Sequence, residues 1–188
     1  MSAVAHESPV CASVRRARRV ATARALEGLK LDWAEIDASP PWLALPDSDA
    51  RERLCTGTGA WWLMGSLKAC IDGKRFAKVR DLLGEEFLAR LHDSTDAQYL
   101  ELLAQAPRPL LPPAESLPGH LLACGRALLG WDLPPNLRVP VLQHFGWSTD
   151  ERDYTVFDTY AAWARHALWA ARQVSWPSAS DSGPRASE

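Results

Sequence analysis

The sequence predicts an all-α fold. Apolar residues recur at three- and four-residue spacing in one segment after another, glycine and proline fall between those segments, and no stretch alternates apolar and polar residues with period two. A chain of 188 residues can bury a core without disulfide or metal staples. The predicted architecture is a compact multi-helix single domain with a proline-rich crossing and disordered termini. A loose tail covers 1–12, a helical domain 13–176 and a disordered Ser-, Pro- and Gly-rich tail 177–188. Within the domain, lobes at 13–105 and 117–176 would be joined by the crossing.

The elements follow in order. Ser13 can cap a helix running to about Leu29, with Val14, Ala17, Val20 and Ala21 on one side. That helix carries Arg15, Arg16, Arg18, Arg19 and Arg24. Ser39-Pro40-Pro41-Trp42 breaks the chain. Pro46-Asp47-Ser48-Asp49 opens the next helix with acids at its positive end. Gly57 and Gly59 are expected to weaken that helix. A second apolar run, Ala60-Trp61-Trp62-Leu63-Met64, leads to Leu67 and Ile71 and stops at Asp72-Gly73. The clearest helix comes next, with Phe76, Val79 and Leu83 on one face, Lys74, Lys78 and Asp81 on the other, and Arg80 at the edge. Gly84 ends it and Glu85-Glu86 opens another, with Phe87, Leu88 and Leu91 inward. Ser94 or Thr95 can cap a helix to Leu103. Residues 106–118 hold five prolines and read as an ordered, partly extended crossing. Helices over about 117–129 and from Pro134-Pro135 to Phe145 follow. A last helix is expected over about 153–174, with Tyr154, Phe157, Ala161, Ala164 and Leu168 as its stripe. Trp163 and Trp169 fall off that stripe, which leaves an indole for a partner or requires cover on several faces.

Composition narrows the class of function. The net charge is −2 and the pI about 6.2, which disfavours a general nucleic-acid binder. The arginine-rich first helix could meet an acidic partner or nucleic acid, but such runs are more often solvated faces. The amino terminus lacks a basic segment leading into an apolar run, and no stretch reaches the length of a membrane span. A cytoplasmic location without direct membrane insertion is expected. Cys11, Cys55, Cys70 and Cys124 form no C-x-x-C pair and read as reduced thiols. The nine tryptophans read mainly as core, with some left for interfaces.

Motifs for chemistry are sparse. There is no H-E-x-x-H and no G-x-S-x-G. Thr56-Gly57-Thr58-Gly59 lacks the G-K-[ST] ending of a phosphate loop. His120 and Cys124, four apart, can share a helix face as half a metal site, with no second half in view. His92-Asp93 is the only other suggestive neighbour. The reading is therefore no enzyme, no cofactor and no metal. Recognition is assigned to Trp61, Trp62, Lys74, Arg75, Lys78 and Arg80, where an indole pair precedes an electropositive helix able to steer an acidic partner.

The segment from Trp61 to Gly84, WWLMGSLKACIDGKRFAKVRDLLG, resembles the sorting-platform K component of bacterial type III secretion systems. Members of that family show a hydrophobic helix with a small-residue turn, then a basic helix ending in Leu-Gly. Pro41-Trp42-Leu43 also fits. The likeness covers about a third of the chain. It implies a non-catalytic adaptor docked at the inner face of the bacterial inner membrane. Its partners would be the cytoplasmic domain of the inner-membrane ring and the pod protein, with the export ATPase beyond, and no nucleic acid. Two other readings stand beside it: a small helical enzyme or cofactor protein using His120, Cys124 or His92, and a nucleic-acid-binding regulator using the Arg15–Arg24 helix.

Overall fold

A computed structural model describes residues 9–45, 47–70, 72–93, 97–147 and 154–173. The expected tails, the Ser94/Thr95 cap, the helix start at Asp153, the His92 side chain and Trp176 lie outside the described residues, apart from the stretch 9–12. The expected all-α class is what the structure shows. The described residues form eleven α-helices and one 3-10 helix. Two units emerge, each with its own core. One comprises 1–47 and 132–149, the other 48–131 and 150–188. The division does not fall in the proline-rich crossing, which lies wholly within the second unit.

In the first unit, α1 spans Pro9–Ala25. It begins ahead of Ser13, with proline at its first position, where a missing N–H costs nothing. It ends before Leu29, and the chain turns through Gly28 at φ +98°. A short helix α2, Trp33–Ala38, follows that periodicity alone does not reveal. Asp32 accepts from the Glu35 N–H at 2.8 Å, and Glu35 accepts in return from the Asp32 N–H at 3.0 Å. This capping box satisfies donors that a free helix end leaves open. A 3-10 helix spans Pro41–Ala44. Helix α9 then joins this unit from far along the chain, over Pro135–His144. Ile36, Trp42, Leu43, Leu137, Val141 and Leu142 are buried. Trp42 stacks on Trp147 at 5.7 Å. His144 Nε2 donates to the Ala25 carbonyl at 3.0 Å, closing the end of α1.

The second unit is organised by α3, Ser48–Trp62, and α8, Leu117–Trp131. Gly57 and Gly59 do not interrupt α3. Their helix cost of about 1 kcal/mol each has a local purpose at Gly59. A Cβ there would collide with the Leu121 carbonyl and sit 3.1 Å from the Gly125 nitrogen. A Cβ on Gly125 would collide with the Cys55 carbonyl. The two backbones therefore touch, and only glycine permits it. Beside this contact Cys55 is buried, and burial pushes its thiol up to about 12. Arg126 pairs with Glu52 at 3.2 Å across the same two helices.

The remaining elements of this unit are α4 (Met64–Ala69), α5 (Gly73–Leu83), α6 (Glu85–Asp93), α7 (Ala97–Ala104), α10 (Thr155–Thr159) and α11 (Ala161–Gln173). The single last helix expected over 153–174 is two helices. Tyr160 leaves helical geometry at φ −113°, ψ 38°. Phe157 and Trp163 are both buried on either side of that bend. Phe157 lies 4.8 Å from the Trp62 ring, and Trp163 Nε1 donates to the Trp62 carbonyl at 3.0 Å. That carbonyl belongs to the end of α3, where helix acceptors lack partners.

Two outcomes test this core. Gly125→Ala is expected to destabilise the protein by about 1–3 kcal/mol or more through overpacking. Gly119→Ala, in the same helix with open space at the Cβ position, is expected to stabilise by roughly 0.5–1 kcal/mol. Thermal unfolding of both variants checks this, and equal shifts would refute the backbone contact between α3 and α8. The second outcome concerns alkali. A thiol held protonated by folding contributes stability that is complete below its unfolded pKa near 9 and is lost as pH rises towards about 12. Cys55→Val should lose less stability than the parent chain between pH 9 and 11 in denaturant titrations.

Candidate functional site

The stretch predicted for recognition occupies the end of α3, all of α4 and all of α5. Its residues divide into three roles.

Trp61 and Trp62 are core, which corrects their assignment to an interface. They are 5% and 4% exposed. The cause is position: they end α3 exactly where other aromatic groups converge. Trp61 meets Phe87, Tyr99 and His166 nearly edge-on, at 5.8, 6.4 and 6.1 Å. Trp62 meets Phe157 and Tyr160 in the same manner. Such perpendicular pairs add about 0.5–1.5 kcal/mol beyond burial. The His166 ring also stacks on Trp163 at 5.3 Å, and burial holds its pKa below the ordinary value. At neutral pH it is therefore an uncharged packing ring.

Arg75 serves the fold. Its Nε donates to the Pro112 carbonyl at 2.8 Å and Nη2 to the Leu111 carbonyl at 3.3 Å, while Nη1 pairs with Asp72 at 3.3 Å. The proline-rich crossing lacks N–H groups at its prolines, so it presents acceptors in excess of donors. Side chains of the neighbouring helices supply the donors. Ser66 Oγ adds a bond to the Pro109 carbonyl at 2.7 Å. Gly65 lets the Pro107 carbonyl approach, since a Cβ there would lie 3.2 Å from it. The crossing is thus held against α4 and α5, without regular secondary structure over 107–113.

Lys74, Lys78 and Arg80 face solvent. Arg80 is near Glu85 and Asp81, at 3.7 and 3.8 Å, which offsets its charge. Lys74 and Lys78 are followed at the same four-residue interval by Leu82, itself 39% exposed. The three make one stripe along α5, about 12 Å long at 1.5 Å per residue. The helix beneath is firmly mounted. Asp72 caps it by accepting from the Lys74 N–H at 2.9 Å, Val79 and Leu83 are buried, and Gly84 ends it at φ 83°. Leu82 was the member of the stripe not assigned from the sequence. Its i+4 spacing from Lys78 was the available signal.

Other groups carry less. His120 and Cys124 do share a helix face, with Nε2 and Sγ 3.7 Å apart. Among the described residues, no group of three or more His, Cys, Asp or Glu side chains is placed to hold a metal ion. A shallow cleft of about 230 Å³ is lined by Leu102, Gln105, Tyr160 and Trp163 among others, and its lining has no carboxylate, imidazole or cation. Trp169 is solvent-exposed and Trp163 fully buried, so only one of the two off-stripe indoles is open to a partner. In the first unit, Arg19 pairs with Asp37 at 2.7 Å and lies over the Trp33 ring. Among the described residues no helix is long and apolar enough to cross a membrane.

No protein-family model, curated protein or solved structure matches the chain.

Arg75→Ala should cost about 1.5–3 kcal/mol, the range for hydrogen bonds to a charged group. Arg75→Lys should recover less than half of that, because an ammonium cannot reproduce the planar fork. Urea denaturation of the two variants measures both. Equal stability of all three chains would show that the guanidinium does not hold the crossing.

Proposed function

We propose that this chain is a non-catalytic helical adaptor that grips an acidic protein surface through Lys74, Lys78 and Leu82. The observation that carries the reading is this stripe: two exposed cations and an exposed leucine on a helix whose opposite side is buried and whose two ends are capped. A rigid mount lowers the ordering cost of binding. Lysines at the rim steer an acidic partner, and the leucine supplies apolar contact.

The resemblance of residues 61–84 supports a more specific form of the proposal. In that form the adaptor belongs to the sorting platform of a type III secretion system, docked at the inner face of the bacterial inner membrane. It would link the cytoplasmic domain of the membrane ring to the pod protein and the export ATPase. The order of parts along 61–84 is compatible with it: a buried hydrophobic helix end, a short helix containing Gly65 and Ser66, then a basic helix closed by Leu83-Gly84. Burial of Trp61 and Trp62 moves the recognition role wholly onto the basic helix.

Lys74→Glu combined with Lys78→Glu is expected to weaken binding to the ring cytoplasmic domain or the pod protein at least tenfold, about 1.4 kcal/mol. Both side chains are exposed, so the circular dichroism spectrum and thermal midpoint should be unchanged. Binding by the parent chain should also fall as salt rises. Co-purification and isothermal titration with each purified partner decide the matter. Absence of binding to both would reject the secretion role, and binding that survives the double reversal would reject the stripe.

A further inference from the structure

The proline-rich crossing contains the most exposed large apolar side chain among the described residues. Leu110 is 97% exposed. Exposed single leucines are ordinary on protein surfaces, but they commonly sit on backbone that is free to move or on a helix face. Leu110 sits on neither. The carbonyl before it, of Pro109, accepts from Ser66 Oγ at 2.7 Å. The carbonyl after Leu110, of Leu111, accepts from Arg75 Nη2 at 3.3 Å, and that of Pro112 from Arg75 Nε at 2.8 Å. Further back, Pro107 is packed against Gly65. Four carbonyls in six residues are turned towards α4 and α5. The side chains of Arg108, Pro109 and Leu110 all remain exposed.

The physical consequence is preorganisation. An apolar side chain on a tethered, proline-stiffened segment loses little further entropy on binding, so most of its burial energy is available to a partner. Prolines at 107, 109, 112 and 113 keep the segment extended. Extended proline-bearing segments are recognised by shallow grooves lined with aromatic rings, commonly with acidic residues at one end to receive a basic side chain. Arg108, two residues before Leu110, supplies that charge.

We propose that Arg108-Pro109-Leu110 is a docking knob, read by a partner protein that offers an aromatic-lined apolar pocket for Leu110 and carboxylates for Arg108. This surface uses none of the residues of the Lys74–Lys78–Leu82 stripe, and it stands whether or not the chain belongs to a secretion system. A nucleic acid is a poor fit, because a fully exposed leucine has no counterpart on a phosphate backbone.

The test uses the full-length chain in the cells that make it, with a photoreactive benzoylphenylalanine placed at residue 110. Exposed apolar sites on helices, at Val14 (63% exposed) and Leu100 (50% exposed), serve as controls. The expected result is a protein adduct from position 110 that is at least fivefold stronger than from either control. Its attachment point should map to a segment containing aromatic and acidic residues, and Arg108→Glu should lower its yield at least fivefold. Lys74→Glu with Lys78→Glu should leave the yield unchanged, and a comparable fall would overturn a docking site distinct from the stripe. No adduct above the controls, an adduct indifferent to Arg108→Glu, or attachment to a second copy of the chain or to nucleic acid would overturn the proposal. Arg108→Glu and the photoreactive substitution at residue 110 should each leave the thermal midpoint unaltered, so loss of the adduct could not be blamed on misfolding. A large fall in the midpoint of the residue-110 variant would overturn the proposal by showing that Leu110 is needed by the fold.

Discussion

Contact between the backbones of α3 and α8 is the constraint on which the second unit rests. At Gly59 and Gly125 there is no room for even one methyl group, so the helices approach as closely as their main chains permit. Close approach packs the two helices tightly around these glycines, and Cys55, Leu121 and Leu128 lie in the interior. Three residues beyond Gly59, α3 ends at Trp62. From that point the indoles of Trp61 and Trp62 reach the rings of α6, α7, α10 and α11. A glycine that costs helix stability locally is thereby repaid through packing elsewhere.

A second theme is the treatment of carbonyl groups that regular structure leaves without donors. The Trp62 carbonyl at the end of α3 receives the Trp163 indole N–H. The Ala25 carbonyl near the end of α1 receives the His144 imidazole. Carbonyls of the proline-rich crossing receive Ser66 and Arg75. In each case a side chain distant in sequence does what a ladder partner would do in a helix. These bonds tie together segments that are far apart in sequence. They also explain why an arginine within a basic helix need not belong to a binding surface.

Much of this was legible in the sequence, and the misses have physical causes. Helical period and the punctuation at Gly84, Pro135 and the 106–118 crossing identified most elements. The capping pair Asp32 and Glu35 was the one local sign of α2, and six residues are too few for a stripe. Gly57 and Gly59 read as weakening α3 because propensity is local, whereas the use of Gly59 depends on neighbours some sixty residues away. The bend at Tyr160 has no glycine or proline to announce it. In the candidate site, the solvent-facing lysines were readable from spacing alone. The tryptophans and Arg75 were not, because the same residue types serve both interfaces and interiors. Only their three-dimensional neighbours separate the two uses.

The first unit is assembled from two pieces of chain, and that has a consequence during synthesis. Trp42 and Leu43 leave the ribosome before Leu137, Val141 and Trp147, with all of residues 48–131 translated in between. At about 5–20 residues per second, that interval is on the order of 4–17 s. Throughout it Trp42 lacks the cover that the Phe145 and Trp147 rings later supply. Until the segment after α9 emerges, that indole face stays open to water, so this unit completes its core only late in synthesis.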